Sequence, residues 1–339
     1  MVNVIVGIEC TAHTLGVACV SNGKILSNIR DMYTTETGGI IPIESAKHHE
    51  KVAEEIWERA LKESGVSEKK IIAIALSNAP GLAPCLLAGM KFAKSKAEKL
   101  KVPIVPVNHC IAHLEIGRSI GAKDPVLLYA SGANTQIIAY AGKKYRVFGE
   151  TLDTGIGNFI DKIGRTFGMG FPGGPKIEKE ALKIKDREKE ERYVLLPYSI
   201  KGMDVSFSGM QTKIQQLYLK AKTDEEKQKA IKDLSFSLQE TSFAMLVEAT
   251  ERALAHTGKD ELVLGGGVAC NSRLQEMCKI MCKERGAKYF CPERSLLVDN
   301  AAMIAYTGEI MFNAGTEDNV EEIDIKPRER TDDVNVTWR

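Results

Sequence analysis

Two stretches of the chain share one pattern of apolar runs and polar turns. Residues 2–31, VNVIVGIECTAHTLGVACVSNGKILSNIRD, and residues 125–153, PVLLYASGANTQIIAYAGKKYRVFGETLD, each begin with an apolar β-branched run, a small or polar turn and a second run. A tight turn then leads to a third run, at Asn22-Gly23 in the first stretch and at Ala141-Gly142 in the second. Apolar runs joined by such turns predict antiparallel strands. Amphipathic helical sequence follows each stretch.

The repetition predicts that one structural unit occurs twice. Three antiparallel strands followed by helix and strand are typical of a ribonuclease-H-like lobe, and two unrelated hairpins are the alternative. A chain of 339 residues is also long for a single core. We therefore expect an α/β protein with a first lobe at residues 1–124, a second lobe with inserted helices at residues 125–325 and a tail at residues 326–339. The last helix belongs to the second lobe or returns to the first.

The charge balance limits how the chain can meet nucleic acid. Its 46 basic and 45 acidic residues give a net charge of +1, so no overall field attracts a polyanion. The basic helix predicted at residues 91–101, KFAKSKAEKLK, could contact phosphates, and an ordinary solvated face is the alternative.

No apolar run reaches the roughly 18 residues of a membrane span. The sequence begins with a strand pattern rather than a leader, so we expect a cytoplasmic location.

The cysteines and histidines differ in what they indicate. Eight scattered cysteines form no CxxC pair, which favours buried thiols over a zinc ribbon. Two of the six histidines, however, stand four residues apart in NHCIAHLE, where a predicted strand passes into a helix. On a helix, His109 and His113 share one face and can bind one metal ion. A core histidine beside a capping histidine is the alternative.

The histidine pair does not match a helical zinc protease. The residue after His109 is Cys110, so the HExxH motif is absent. The residue before His113 is Ala112, so the inverted HxxEH motif is absent as well. If a metal binds here, protease chemistry does not follow from the motif.

Three predicted turns are rich in glycine, namely SGAN at 131–134, FPGGPKIE at 171–178 and GGGVACN at 265–271. Glycine lets backbone N–H groups approach a phosphate or a nucleobase. Neither a P-loop nor GxGxxG is present. Carboxylates accompany the turns, at Glu9, Asp161, Glu178 and Asp299. Asp161 could bind a ribose. Asp299 stands just before a predicted helix. Taken alone, it is best explained as an N-cap, and a metal ligand is the alternative.

Eight segments together are more specific than any one of them. In chain order they are GIECTAHTLGVA, NHCIAHLE, LYASGANTQ, DTGIGNFIDKIGR, FPGGPKIE, GMDVSFSGMQT, LGGGVACNSRL and VDNAAMIAYTG. They resemble the TsaD/Gcp family in its archaeal–eukaryotic form, the catalytic subunit of the KEOPS complex, from about residue 4 to residue 339. The resemblance implies the actin/hexokinase/Hsp70-like (ASKHA) fold, with two ribonuclease-H-like lobes around a nucleotide cleft.

The resemblance also implies an activity and its residues. Such proteins transfer the threonylcarbamoyl group from threonylcarbamoyl-AMP to N6 of adenosine 37 in tRNAs that read ANN codons. One divalent metal per subunit, iron(II) or alternatively zinc, would be bound by His109, His113, Tyr129 and Asp299. Adenylate or ATP would lie against Tyr129, Ala130, Ser131, Gly132, Ala133, Asn134, Asp161, Gly174, Glu178 and Asn271. The usual SGGN loop reads SGAN here, so the loop must avoid a positive φ at Ala133 or shift slightly.

The general base, the partners and the rival functions stay open at this point. Glu9 and His13 are both candidates for a general base or a phosphate contact. The implied partners are tRNA, a small kinase/ATPase, a dimerising small subunit and an accessory subunit, with the adenylate made by a separate synthase and no membrane involved. The rivals are an ATP-dependent small-molecule kinase or carbamoyltransferase on the same fold, and a nucleotide-dependent scaffold without catalysis.

Overall fold

Two mixed sheets of five strands form the centre of the computed structural model, which describes residues 3–35, 39–185 and 189–339. The first sheet has the order β3-β2-β1-β4-β5 and consists of β1 (Val4–Glu9), β2 (Thr14–Ser21), β3 (Lys24–Met32), β4 (Ile71–Ala79) and β5 (Ile104–Asn108). The second has the order β12-β11-β6-β7-β8 and consists of β6 (Val126–Ala130), β7 (Thr135–Ala141), β8 (Lys144–Glu150), β11 (Glu261–Gly265) and β12 (Lys288–Phe290). A separate hairpin is formed by β9 (Ile200–Lys201) and β10 (Asp204–Val205).

The two sheets have the same connectivity. In each, the first three strands pair antiparallel and the next two add on in parallel. The predicted duplication of one ribonuclease-H-like unit is therefore confirmed. Val2, the first residue of the predicted repeat, lies outside the described residues.

Both predicted hairpin turns are present, one of them displaced by a residue. Asn22 and Gly23 join β2 to β3 with φ values of 51° and 72°. Two successive positive φ values match the twist of the flanking strands. In the second sheet the turn residues are Gly142 and Lys143, with φ values of 59° and 64°, because Ala141 remains in the strand and pairs with Lys144. The prediction of Ala141 as a turn residue is wrong, because Ala141 is the last paired residue of β7 and the two-residue turn begins after it.

Eleven α-helices occur in the described part of the chain, and most of them cover the outer face of one of the two sheets. In chain order they are α1 (Pro42–Ser64), α2 (Ala83–Leu100), α3 (His109–Glu115), α4 (Ile156–Thr166), α5 (Gly174–Ala181), α6 (Lys189–Arg192), α7 (Ser208–Lys220), α8 (Asp224–Thr257), α9 (Ser272–Arg285), α10 (Arg294–Leu297) and α11 (Ala301–Asn313). α1 and α2 bury their apolar faces on the first sheet, and α4, α7, α8 and α9 on the second. Within the described residues, no helix combines the length and the apolar character needed to cross a membrane.

Two helices lie between the sheets, each against the sheet of the other half. α3 follows the last strand of the first sheet but packs against β6 and β11 of the second. α11 follows the second sheet but packs against β1, β2 and β4 of the first, which is one of the two arrangements expected for the last helix. All seven residues of α3 are buried. This exchange brings the first turns of α3 and α11 together in the gap between the sheets.

The chain after α11 runs from the first sheet to the second. Asp318 forms a bridge with Ile104 of β5, and Ile323 enters the core of the first sheet. Further along, the short 3-10 turn Thr331–Asp333 lies beside β8. Residues 314–325 therefore contact the first sheet, and the boundaries at 124 and 325 stay a prediction.

We expect Gly7→Ala to destabilise the fold by about 1–3 kcal/mol, because the added Cβ overpacks the interface between β1 and α11. That Cβ would lie 2.4 Å from the backbone nitrogen and 2.8 Å from the Cβ of Ala305. Urea unfolding would measure the loss as a lower midpoint at unchanged slope. Gly209→Ala in α7 is the matched control, because a Cβ there meets nothing within 4 Å. Equal stability of the two variants would contradict the close packing of α11.

Candidate metal centre and nucleotide site

The histidine pair stands at the start of α3, directly after β5. The Asn108 side chain caps the helix by accepting hydrogen bonds from the backbone N–H groups of Cys110 (3.1 Å) and Ile111 (3.3 Å). The cap fixes how the chain enters the helix, and the four-residue spacing turns both imidazoles to one face. The ring centroids of His109 and His113 are 4.8 Å apart, and both side chains are buried.

Asp299 lies two residues before α11, the other helix between the sheets, and contacts both histidines. Its Oδ1 lies 3.3 Å from Nε2 of His109 and 3.5 Å from Nε2 of His113. Among the described residues, these three form a group whose potential ligand atoms all lie within 4.8 Å of one another. Such a group of two imidazoles and a carboxylate can hold a metal ion.

Asn300, rather than Asp299, caps α11. Its Oδ1 accepts a hydrogen bond from the N–H of Met303 at 3.0 Å, while its Nδ2 donates to the carbonyls of Leu296 (3.1 Å) and Val298 (2.8 Å). A carboxylate could accept at this position but could not donate. The expectation that Asp299 is the N-cap is therefore wrong by one residue, and its carboxylate is left to face the imidazoles.

Tyr129 completes the group from the second sheet. It stands one residue before the end of β6 and is buried. Its hydroxyl lies 3.0 Å from Nε2 of His109, and its ring centroid lies 4.7 Å from that of His113. Burial raises the pKa of the Tyr129 phenol. All four residues implied as metal ligands thus meet at one point between the sheets.

The polar atoms of this group fit a cation. Both ring nitrogens of His113 are buried without a hydrogen-bond partner in the described part of the chain. A buried polar atom without a partner is costly and uncommon in folded proteins. A metal ion bound to His113 would satisfy one of these nitrogens. Imidazole, phenol and carboxylate form a mixed nitrogen and oxygen set that suits iron(II) or zinc.

The carboxylates and burial shift the histidine pKa values in opposite directions. Burial disfavours the charged form of His109, but the negative groups around it, Glu9 foremost, outweigh burial and raise its pKa well above the usual value. For His113, burial dominates and lowers the pKa. Burial also opposes ionisation of Asp299, yet the two histidines hold its pKa well below the usual value. The site therefore keeps the Asp299 carboxylate charged in a largely buried setting, which a cation would compensate.

Glu9 contacts the histidine pair, whereas His13 does not. The fully buried Glu9 places Oε2 2.9 Å from Nδ1 of His109. Its Oε1 accepts hydrogen bonds from the N–H (2.8 Å) and the hydroxyl (2.6 Å) of Thr11. His13 is half-buried and contributes to the electrostatic field at Asp161. Burial raises the pKa of Asp161, although nearby N–H groups and positive charges act to lower it.

Two glycine turns border the metal group. In the SGAN turn, the N–H of Ser131 donates to the carbonyl of Asn134 at 2.9 Å, and the φ of Ala133 is not positive, as its methyl group requires. The second turn lies beside it: a Cβ at Gly266, whose φ is 92°, would come within 2.3 Å of the Ala130 carbonyl oxygen. A Cβ at the neighbouring Gly265 would lie 3.3 Å from the Cβ of His113. The glycines thus let the second turn approach both the SGAN turn and the histidine helix.

The remaining residues implied for the adenylate form one wall next to these turns. The N–H of Gly173, just before Gly174, donates to Oδ1 of Asp161 at 2.7 Å. One turn further along α5, Oε1 of Glu178 accepts hydrogen bonds from the N–H (2.8 Å) and hydroxyl (2.6 Å) of Ser272. The SGAN turn joins the same wall, because its Ser131 and Gly132 carbonyls accept hydrogen bonds from the first N–H groups of α4.

Asn271 sits where the wall meets α9, with a partner that sequence reasoning missed. Its Oδ1 caps α9 by accepting from the N–H groups of Arg273 (2.9 Å) and Leu274 (3.3 Å). Its Nδ2 donates to Gln239, a buried polar residue of α8, at 2.5 Å. Gln239 could have been recognised in the sequence as a glutamine at an apolar-face position of a long helix. Thr11, whose hydroxyl binds Glu9, was also missed, and nothing in the sequence marks it.

Comparisons with known proteins agree with the motif order. The model of the family TsaD, tRNA N6-adenosine threonylcarbamoyltransferase, matches residues 24–306. The tRNA N6-adenosine threonylcarbamoyltransferase of Thermococcus kodakarensis is 52% identical over 332 residues, covering 98% of both chains. That of Methanococcoides burtonii is 48% identical over 338 residues, covering 98% of this chain and 97% of its own. A probable bifunctional tRNA threonylcarbamoyladenosine biosynthesis protein of Methanosarcina acetivorans is also 48% identical, with 59% of its length covered.

Solved structures with little sequence identity share the fold. HypF of T. kodakarensis superposes with a TM-score of 0.61 at 13% identity, over 93% of this chain and 48% of that chain. The activator of 2-hydroxyisocaproyl-CoA dehydratase from Clostridium difficile gives 0.50 at 10% identity, over 94% and 99%. These likenesses confirm the two-lobed ASKHA architecture. Together with the family match and the full-length relatives, they establish that the chain belongs to the TsaD family of enzymes, the tRNA N6-adenosine threonylcarbamoyltransferases.

Proposed function

We propose that this chain transfers the threonylcarbamoyl group from threonylcarbamoyl-AMP to N6 of adenosine 37 in ANN-decoding tRNAs. The observation that carries the proposal is the meeting of His109, His113 and Asp299 with two glycine turns at one point between the sheets. A metal group alone would fit many reactions, and glycine turns alone would fit many nucleotide sites. Their contact favours chemistry on a phosphate-activated carbonyl bound in the cleft.

The site has to make a poor nucleophile react. The exocyclic amine of adenosine is weakly nucleophilic because its lone pair is delocalised into the ring, so charge developing on the carbonyl or on the leaving phosphate must be stabilised. A divalent cation, iron(II) in our proposal with zinc as the alternative, supplies Lewis acidity when bound by His109, His113, Tyr129 and Asp299. In the turn at Ser131, Gly132, Ala133 and Asn134, the N–H groups of Ser131 and Asn134 are engaged within the turn, so those of Gly132 and Ala133 would add the oriented hydrogen-bond donors.

The wall beside the turns would bind the nucleoside of the adenylate. Both hydrogen bonds from Ser272 go to Oε1 of Glu178, which leaves Oε2 for a ribose hydroxyl. Asp161 is anchored by the N–H of Gly173 and faces the same space. Asn271 and Gly174 stand at the N-terminal ends of α9 and α5, where the backbone approaches the base and sugar without long side chains between.

Glu9 and His13 would have different roles. Both oxygens of Glu9 are engaged, one by Thr11 and one by His109, so we propose that it orients the imidazole of His109. Metal-bound histidines commonly carry such a carboxylate on the second nitrogen. His13 has a buried Nδ1 without a partner among the described residues, and its charge acts on Asp161. A phosphate contact is the role we propose for His13.

The tRNA would need help to reach the site. The predicted basic helix is α2, and two of its lysines are already engaged: Lys96 pairs with Glu54 at 2.6 Å and Lys99 with Glu68 at 3.2 Å. With a net charge of +1, this chain offers the polyanion little overall attraction. We propose that tRNA binding depends on the other KEOPS subunits, a small kinase/ATPase, a dimerising small subunit and an accessory subunit. A separate synthase would supply the adenylate.

Nucleoside mass spectrometry tests the proposal. The protein and its proposed partner subunits, incubated with unmodified ANN-decoding tRNA and fresh threonylcarbamoyl-AMP, should yield threonylcarbamoyladenosine. The matched substrate control is the same tRNA with guanosine at position 37, which should stay unmodified. Absence of product from an assembly that is folded and metal-loaded, together with ATP-dependent phosphorylation or carbamoylation of small molecules, would overturn the proposal in favour of a small-molecule enzyme.

A further inference from the structure

The helix that carries both histidines cannot maintain its own position. α3 has seven residues, fewer than an isolated helix needs to persist in water. Its last residue is Glu115, a fully buried carboxylate at the end of the helix where the backbone dipole disfavours negative charge. A buried charge at such a place is tolerated only when cationic or hydrogen-bonding groups meet it. The partners of Glu115 therefore fix the end of α3.

Glu115 is met from the second sheet and from the end of the sequence. The hydroxyl of Tyr145 in β8 donates to Oε1 at 2.7 Å, and Arg118 donates to Oε2 at 3.1 Å. Arg339 places Nη2 3.0 Å from Oε1 as an ion pair that is not aligned as a hydrogen bond. The Arg339 side chain is only 9% exposed, and its guanidinium stacks on the ring of Tyr140 at 4.7 Å. Its Nη1 donates to Oδ1 of Asp124 at 3.0 Å, so this largely buried arginine is a counter-charge shared by Glu115 and Asp124.

The same segment of chain also contacts the beginning of α3. Glu329 accepts a hydrogen bond from Nδ2 of Asn108, the capping residue, at 3.3 Å. Between the two ends, Val334, Val336 and Trp338 pack against the cluster that contains the apolar residues of α3. The backbone of Lys326, just before this segment, donates to Asn78 of the first sheet at 2.9 Å. Residues 329–339 therefore run along the whole helix. Arg339 fixes them to the second sheet, and the chain just before them is fixed to the first.

We propose that residues 329–339 are a brace that positions α3, with Arg339 as its main positioning residue through Glu115. The brace holds the capping residue Asn108 and the last helical residue Glu115, so it sets where the two imidazoles stand relative to Asp299. Its effect on metal binding rests on the proposed metal role of His109 and His113. Its effect on the helix itself does not.

Two measurements on the full-length chain test the brace. Hydrogen exchange of the α3 amides in metal-free protein should be about tenfold faster in Arg339→Ala, because a helix without its end contact opens more often. The Kd for Co²⁺, followed by its visible absorption, should rise by about tenfold, the low end of what outer partners of metal ligands contribute. Arg339→Lys should fall between, because it keeps the charge but loses the planar fork. Arg328→Ala, at an exposed position just outside the brace, is the matched control and should resemble wild type.

A second variant keeps the test decisive if Arg339→Ala folds poorly. Glu115→Gln/Arg339→Leu carries no buried charge, yet it removes the ion pair and should show the same faster exchange. Unchanged exchange in α3 would overturn the brace. Faster exchange with an unchanged Co²⁺ Kd would overturn its effect on the imidazoles. If wild type and His109→Ala/His113→Ala bind Co²⁺ equally, the proposed metal role fails, and the exchange result alone decides whether the brace exists.

Discussion

Replacing both His109 and His113 by alanine should reduce threonylcarbamoyl transfer by about three orders of magnitude or more. A Lewis acid contributes several kcal/mol to stabilising charge in a transition state, and about 1.4 kcal/mol corresponds to a factor of ten in rate. The variant would keep Tyr129 and Asp299 but lose both imidazoles of the group. Two oxygen ligands alone do not select iron(II) or zinc.

The loss should appear in metal content as well as in rate. Metal analysis of the purified chain and nucleoside mass spectrometry with saturating donor would measure both. His256→Ala is the matched control, because His256 is exposed at the end of α8 and should tolerate the change. His113→Ala alone guards against misfolding, since its ring nitrogens make no hydrogen bond in the described part of the chain and lose only the 3.5 Å contact with Asp299. A double variant that still binds one metal per chain and retains its rate would place the metal elsewhere.

The local parts of this site could be read from the sequence. The spacing of His109 and His113 and the strand before them predicted a shared helical face, because both features depend only on neighbouring residues. The hairpins and the duplicated sheets followed from apolar runs and turn residues in the same way. Ala141 shows the limit of that approach, since turn chemistry locates a hairpin only to within a residue.

Features that depend on distant packing could not be read from the residues themselves. Asp299 faces the histidines because α11 returns to the first sheet and because Asn300 takes over the capping role. An aspartate and an asparagine side by side before a helix give no basis for choosing which one caps it. The contact of Arg339 with Glu115 likewise depends on a chain that crosses from one sheet to the other. The motif resemblance supplied Asp299 as a ligand, but it supplied no partner for Glu115.

Glu9→Gln should weaken Co²⁺ binding by about 10- to 100-fold, the usual effect of removing an outer partner of a metal-bound histidine. Glutamine keeps the size of Glu9 but removes the charge that lies 2.9 Å from Nδ1 of His109. Because the amide oxygen would stay with the two Thr11 donors, the NH2 group would face Nδ1 of His109, and the ring would lose the acceptor that fixes which nitrogen carries the proton. A positioning role therefore predicts that transfer falls with metal affinity and recovers substantially when Co²⁺ is raised to saturation.

A general-base role for Glu9 predicts the opposite pattern. Co²⁺ affinity would stay near the wild-type value, and saturating metal would not restore the rate, because the proton acceptor itself would be missing. The Kd from visible absorption and kcat from nucleoside mass spectrometry, measured on the same preparation, separate the two roles. Glu58→Gln at an exposed position of α1 is the matched control. Thr11→Val, which removes the hydroxyl 2.6 Å from Oε1 of Glu9, should produce a smaller loss of affinity in the same direction if Glu9 acts by orienting His109.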